Sequence, residues 1–194
     1  MNLSFNEVEA QVKKAAKGAG YTWGEATEAG KAARWLHMHD VDGCSHFAKV
    51  LRSDLSSRGL TSCPIQNGIL LSDRARKLGN EPMTFSDIRE PVILSAFAAN
   101  AAVLLETPIL VQTNAWHIIL DETSAEISGS LNALVDDVVI TLHSERPKRK
   151  PKATRCFPDP QDWVALSEFA HRTYAPDTEE SRRLGAGAGL SDND

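Results

Sequence analysis

The chain has 194 residues, 42% of them apolar and 24% charged, with a formal net charge of −5. That length suits one domain whose core needs no staples, and the acidic balance gives no global attraction to nucleic acid or anionic membranes. Three scattered cysteines, Cys44, Cys63 and Cys156, exclude a disulfide framework and favour free thiols in a reducing compartment. No basic segment followed by an apolar run opens the chain, and no stretch reaches the roughly 18 apolar residues that a bilayer crossing needs. The expectation is a soluble, cytoplasmic protein.

Three helices are predicted in the first sixty residues. Ser4 and Glu7 have capping-box spacing, and Phe5, Val8, Val12, Ala15 and Ala16 repeat at helical period until Gly18 and Gly20. Thr22 and Glu25 repeat the capping pattern before a stripe of Ala26, Ala29, Ala33 and Leu36. Small residues on that stripe permit close approach of a neighbouring helix. A third helix is expected from about Cys44 to Ser57, with Phe47, Val50, Leu51 and Leu55 on one face and Gly59 at its exit.

Residues 61–90 carry Pro64, Gly68, Gly79 and Pro82 and read as short pieces, with one or two helical turns over Ser72 to Lys77. A buried helix follows from Pro91 to Leu105. The period then changes to that of strands in PILVQT, AWHIIL, AEISGS and DDVVITLH, with a turn near Asp121 to Ser124. Three or four such strands without alternating helices predict a small, largely antiparallel sheet and disfavour a doubly wound fold. A basic linker, Arg146 to Arg155, leads to a last helix from Asp159 to about Arg172, expected to bury Trp163, Leu166, Phe169 and Ala170. The fold class is therefore α+β: an N-terminal helical part on a small sheet, then a helix. Residues 1–172 form the domain and 173–194 a glycine-rich tail.

Six potential ligands, His37, His39, Asp40, Asp42, Cys44 and His46, lie close together, but their spacing matches no metal-binding pattern. His37 and His39 leave a helix on different faces. A polar helix end followed by a cap is the expectation, with no metal and no cofactor. Cys63 precedes Pro64; a catalytic thiol there would need His117 or His143 as base, and a buried structural cysteine is the preferred reading. The run RPKRKPKATR has six cations in ten residues but no interleaved aromatics for stacking bases. It reads as a solvated linker without a nucleic-acid role.

The tail is the least ordinary feature, with Tyr174, Glu179, Ser181 and Arg182 preceding Gly185-Ala-Gly187-Ala-Gly189. It fits neither a dinucleotide fingerprint nor a phosphate loop. The opening NEVEAQVKKAAKGAGYTWG, the segments TEAGKAARWL and VDG, Cys63-Pro64 and the ending TYAPDTEESRRLGAGAGLSDND together resemble a bacterial family known only as a domain of unknown function. The HMHD histidines and the basic linker depart from its pattern. The resemblance implies a bacterial origin and draws attention to the tail, but implies no chemistry.

Two functions are carried forward. One is a small enzyme or enzyme subunit acting on a small polar metabolite. There Arg182 would grip a carboxylate, Ser181 and Gly187 would line the site, and Glu179 or Tyr174 would transfer protons. The other is a non-catalytic accessory protein whose tail docks into a partner. The ligand is accordingly a small molecule or a protein, without membrane or nucleic acid, and the oligomeric state is open.

Overall fold

A computed structural model describes residues 1–53 and 62–174. In chain order the elements are α1 (Phe5–Gly18), α2 (Trp23–Met38), α3 (Gly43–Arg52), α4 (Pro64–Asp73), β1 (Met83–Ser86), α5 (Leu94–Leu105), β2 (Ile109–Gln112), β3 (Trp116–Leu120), β4 (Ala125–Gly129), β5 (Asp137–Leu142) and α6 (Pro160–His171). The class is α+β, with helices first, an antiparallel sheet next and one closing helix.

Both N-terminal capping boxes form. The Glu7 N–H donates to Ser4 Oγ at 3.2 Å and the Ser4 N–H to Glu7 Oε2 at 2.7 Å. Thr22 and Glu25 repeat the exchange at 3.3 and 2.8 Å. Each box satisfies two backbone donors that a helix start leaves orphaned. Ala26, Ala29, Ala33 and Leu36 are fully buried, and α2 packs along α1 over this stripe. Arg34 reaches Glu9 across the seam at 3.1 Å. On its other side α1 meets α6, where Gln11 Nε2 donates to Ser167 Oγ at 2.7 Å.

Several boundaries differ from the sequence expectation. Helix α3 ends at Arg52, where Ser53 turns to an extended conformation (φ −64°, ψ 134°), rather than running to Ser57; Leu55 and Gly59 lie outside the described residues. The segment read as short pieces contains a ten-residue helix, α4. Pro64 opens it instead of breaking it, because the first helical position needs no N–H. Gly68 sits inside it for a packing reason: a Cβ there would lie 2.2 Å from the Phe97 ring of α5. A single-turn 3₁₀ segment, Ala75–Gly79, follows. In α6, Leu166 and Ala170 are buried as expected, but Trp163 and Phe169 only pack against the core from its margin.

The sheet has five strands in the order β1-β5-β2-β3-β4, every neighbouring pair antiparallel. β5 returns between β1 and β2, so Val111 faces both Ile118 and Ile140 across the ladders. Phe85, Val111, Ile118 and Ile140 lie on the inner face and are buried, and α5 packs against β2 and β3. On the outer face Thr84, Gln112 and His117 are exposed, while Leu110 and Ile119 are half-buried. That alternation is what a sheet covered on one side requires. Among the described residues, no helix is long and apolar enough to cross a membrane.

Candidate functional site

Helix α3 carries most of the side chains with chemical potential. It is the most strongly amphipathic helix described; one face buries Cys44, Phe47, Ala48 and Leu51, while Lys49 and Arg52 project outward. Asp42, its N-cap, accepts the Ser45 N–H at 3.1 Å. His46 lies in the first turns, and Lys49 stands three residues on, one position around the same side.

Opposite α3, residues Asp87 to Pro91 make a bend containing two left-handed non-glycine residues, Asp87 (φ 57°) and Glu90 (φ 47°). Pro91 disfavours the right-handed helical region for its predecessor, and Glu90 adopts the left-handed one, starting the 3₁₀ turn Pro91–Ile93. Such a conformation costs on the order of 1 kcal/mol and persists only where surrounding contacts over-determine it. Here those contacts are a hydrogen bond from His46 and an ion pair with Lys49. His46 Nδ1 lies 2.5 Å from Glu90 Oε2, and Lys49 Nζ lies 3.7 Å from the same oxygen. A carboxylate oxygen accepts, so Nδ1 carries the proton of this pair. Oε1, the second carboxylate oxygen, has no partner among the described residues.

Glu90 and Lys49 are part of the wall of an open cleft of about 530 Å³, which Leu131, Asn132, Leu134 and Val135 close from the loop after β4. Leu134 is almost fully exposed there. The cleft wall thus includes a glutamate held by a buried imidazole and by an ammonium, its second oxygen without a partner among the described residues. That arrangement can accept or return a proton.

A second cluster lies at the start of α3. One ligand atom from each of His37, Asp42 and Cys44 falls within 4.8 Å of the others. The chain turn at Val41 gathers three of the six potential ligands that spacing alone kept apart. Each has a structural task. His37 Nε2 accepts the Cys44 N–H at 3.3 Å. Asp42 Oδ1 caps α3, and Oδ2 accepts the Asp159 N–H at 3.2 Å. Burial holds His37 below its ordinary pKa, against the opposing pull of Asp42. We therefore assign a neutral ring whose Nε2 lone pair serves Cys44, in preference to an ion pair with Asp42 at 3.4 Å. Burial also pushes the Cys44 thiol far up. Asp42 forms the helix cap expected from sequence, while the three side chains stand close enough together to hold a cation.

The remaining thiols are also buried and free. Burial raises Cys156 to about 11. Cys63 ends against Tyr21, with 3.4 Å between Sγ and the phenol oxygen; its described partner is a tyrosine, not His117 or His143. The basic segment is less free than a solvated linker. Arg155 donates to Asn2 at 2.7 Å, the Lys148 N–H donates to Glu126 at 3.0 Å, and Lys148 Nζ lies 3.3 Å from the same carboxylate.

Of the residues expected at the site, Tyr174 alone is described. It follows α6, three residues after His171, with its ring edge-on to that of His171, centroids 5.1 Å apart, and with Lys14 Nζ 5.9 Å from its centroid. It is exposed and does not line the cleft beside Glu90. Glu179, Ser181, Arg182 and Gly187 lie outside the described residues. His46 was noticed only as a member of a ligand run, and Glu90 not at all. The one signal was an acidic residue directly before a proline.

Residues 3–83 match a family described as a protein of unknown function (DUF3726). The match spans α1 to α4 and reaches the first residue of β1, so it includes His46 and Lys49 but not Glu90. No curated protein and no solved structure matches the chain.

Proposed function

We propose that the protein is a small enzyme acting on a small polar metabolite by proton transfer, with Glu90 as the acid–base group. The observation that supports this reading is the Glu90 carboxylate on the wall of an open cleft, one oxygen held by His46 at 2.5 Å and the other unpartnered among the described residues. His46, buried behind it, is a positioning residue. Lys49, half-exposed at the rim, neutralises the carboxylate or meets an anionic substrate group. Lys49, Asp87 and Asn132 give the cleft polar character suited to a metabolite with several hydrogen-bonding groups.

The tail retains its part in this proposal. Arg182 is the candidate clamp for a substrate carboxylate, with Ser181 and Gly187 beside it and Glu179 as a further ionisable group. That part rests on residue chemistry alone.

The test is consumption of metabolites from a small-molecule extract by the full chain, read by mass spectrometry. Glu90→Gln keeps shape and hydrogen bonding but removes ionisation. It should cut turnover by about a hundredfold or more, with the melting temperature nearly unchanged. A substrate turned over equally well by wild type and Glu90→Gln would remove Glu90 from the chemistry.

A further inference from the structure

A second cleft, of about 280 Å³, lies between the end of α2 and the inner side of β4, and the basic segment closes it. Its polar lining includes His39, Asp40, Thr123, Ser124, Lys150 and Lys152. β4 ends there in Gly129 (φ 93°), where a Cβ would lie 2.3 Å from the Ala115 carbonyl oxygen. The close approach keeps the strand end tight against β3.

Three features of this cleft point to one kind of ligand. First, His39 Nδ1 lies 2.8 Å from the Trp35 carbonyl oxygen, which can only accept, so Nδ1 carries the proton. Nε2 is therefore the acceptor of the neutral ring, yet it is buried without a hydrogen-bond partner among the described residues. An unpaired buried acceptor is a cost that a ligand donor would remove. Second, Lys150 and Lys152 line the cleft, whereas the ion pairs of this segment are made by Arg146 with Asp121 and by Lys148 with Glu126. Among the described residues the Lys150 and Lys152 ammonium groups make no ion pair and are left for an anion, with Asp40 the one carboxylate among the described lining residues. Third, Ser124 is buried and its hydroxyl has only a 3.4 Å contact with Thr123, whose own hydroxyl donates to Asp121 Oδ1 at 3.1 Å, so the Ser124 hydroxyl stands by as a further donor.

We propose that this cleft binds inorganic phosphate. Its anionic oxygens would meet Lys150 and Lys152, and one P–OH would donate to His39 Nε2. A carboxylate has no proton to give at neutral pH, and sulfate has none either. A phosphodiester, the form a nucleic acid presents, also lacks that proton. Inorganic phosphate keeps a P–OH in both of its ionic forms near neutral pH and so satisfies both the ammonium groups and the lone pair, whereas a monoester, with a second pKa of about 6, is there mostly the dianion without that proton. Leu131 lines this cleft and the one beside Glu90, so the two are neighbours; the phosphate proposal does not depend on the acid–base reading.

The experiment is equilibrium titration of the full chain by calorimetry, with inorganic phosphate, sulfate, acetate and an unphosphorylated single-stranded oligonucleotide as separate probes. Phosphate should bind saturably and about tenfold or more tighter than sulfate or acetate, and the oligonucleotide should not displace it. Lys152→Ala, Lys150→Ala and His39→Gln should each weaken phosphate by about tenfold. Lys148→Ala, whose partner is Glu126, should not. The two lysines are exposed, so their loss tests the site without unfolding the chain. Equal affinity for phosphate and sulfate, affinity unchanged in the lysine variants, displacement by the oligonucleotide, or no saturable binding would each overturn the proposal.

Discussion

Asp42 and Asp159, 117 residues apart in the chain, are joined by a hydrogen bond of 3.2 Å from the Asp159 N–H to Asp42 Oδ2. Each is also an N-cap: Asp42 accepts from Ser45 at the start of α3, and Asp159 accepts from Gln161 and Asp162 at the start of α6. One carboxylate therefore caps one helix and positions the cap of another. Arg52 and Asp162 tie the same two helices at 2.9 Å.

Replacing Asp42 should cost more than an ordinary cap. Loss of a single N-cap costs about 1 kcal/mol, and the Asp159 N–H would lose its acceptor as well. Asp42→Ala should destabilise by about 2–3 kcal/mol in urea unfolding. Asp42→Asn, which keeps an acceptor for either helix but not for both, should fall between. A loss under about 0.5 kcal/mol for Asp42→Ala would show that the two caps are not coupled.

Stability should fall as the pH drops below the ordinary histidine range. Burial, the largest cause for both, holds His37 and His39 below their usual value. In the unfolded chain each returns to about 6.5. Below that pH the unfolded state takes up protons that the folded state refuses, so unfolding becomes easier. Above pH 7 both forms are neutral and the contribution is complete. A separate loss belongs at lower pH, below about 4. There Asp121 is held low by hydrogen bonds from Thr123 and Ser124, although burial opposes them. Melting temperature followed from pH 8 to 5 should decline below 6.5, and His37→Gln or His39→Gln should flatten the decline. A profile level down to pH 5 would contradict the assignment.

Gly68→Ala should be destabilising for a steric reason alone. Its Cβ would meet the Phe97 ring at 2.2 Å, and Phe97 is almost fully buried. The helix preference of alanine, about 1 kcal/mol in its favour, competes with overpacking of about 1–3 kcal/mol. The clash should win, giving a net loss in thermal unfolding. Phe97→Leu should be costly alone but less than additive with Gly68→Ala, because it removes the clashing ring. Strict additivity would mean that the two residues do not touch.

Periodicity and caps made the helical half legible. Ser4-x-x-Glu7 and Thr22-x-x-Glu25 specify their helix starts locally, and both formed. The strand runs from PILVQT to DDVVITLH were readable because alternation records one buried face. β1 was not, since Met83–Ser86 has four residues and gains its identity only by pairing with β5. α4 was obscured by Pro64 and Gly68, whose roles depend on a helix start and on Phe97. The candidate site was the least legible part. His46 and Glu90 are 44 residues apart, and nothing local in either segment says that they meet. The left-handed bend at Glu90 leaves only the trace of a following proline.

The final prediction concerns the chain beyond Tyr174. Helix α6 packs against α1 and α3. Ala165, Leu166 and Ala170 of α6 are buried against the domain, and the last turn is finished by Thr173, whose hydroxyl donates to the Ala170 carbonyl at 2.7 Å. Residues after Leu184 should therefore be dispensable for folding, and their removal should leave the circular dichroism of helix and sheet intact. Function should behave differently if the tail is the binding arm its composition suggests. Tyr174, Leu184 and Leu190 punctuate it, and ordering alternating glycine and alanine costs more backbone entropy than ordering other residues. A tail kept in that form implies a surface that admits small side chains alone. Arg182→Ala and Glu179→Ala should then impair ligand binding or turnover while shifting the melting temperature by a few degrees at most. Truncation after Leu184 with full activity would end the tail's functional role. Truncation that prevents folding would make these residues part of the core.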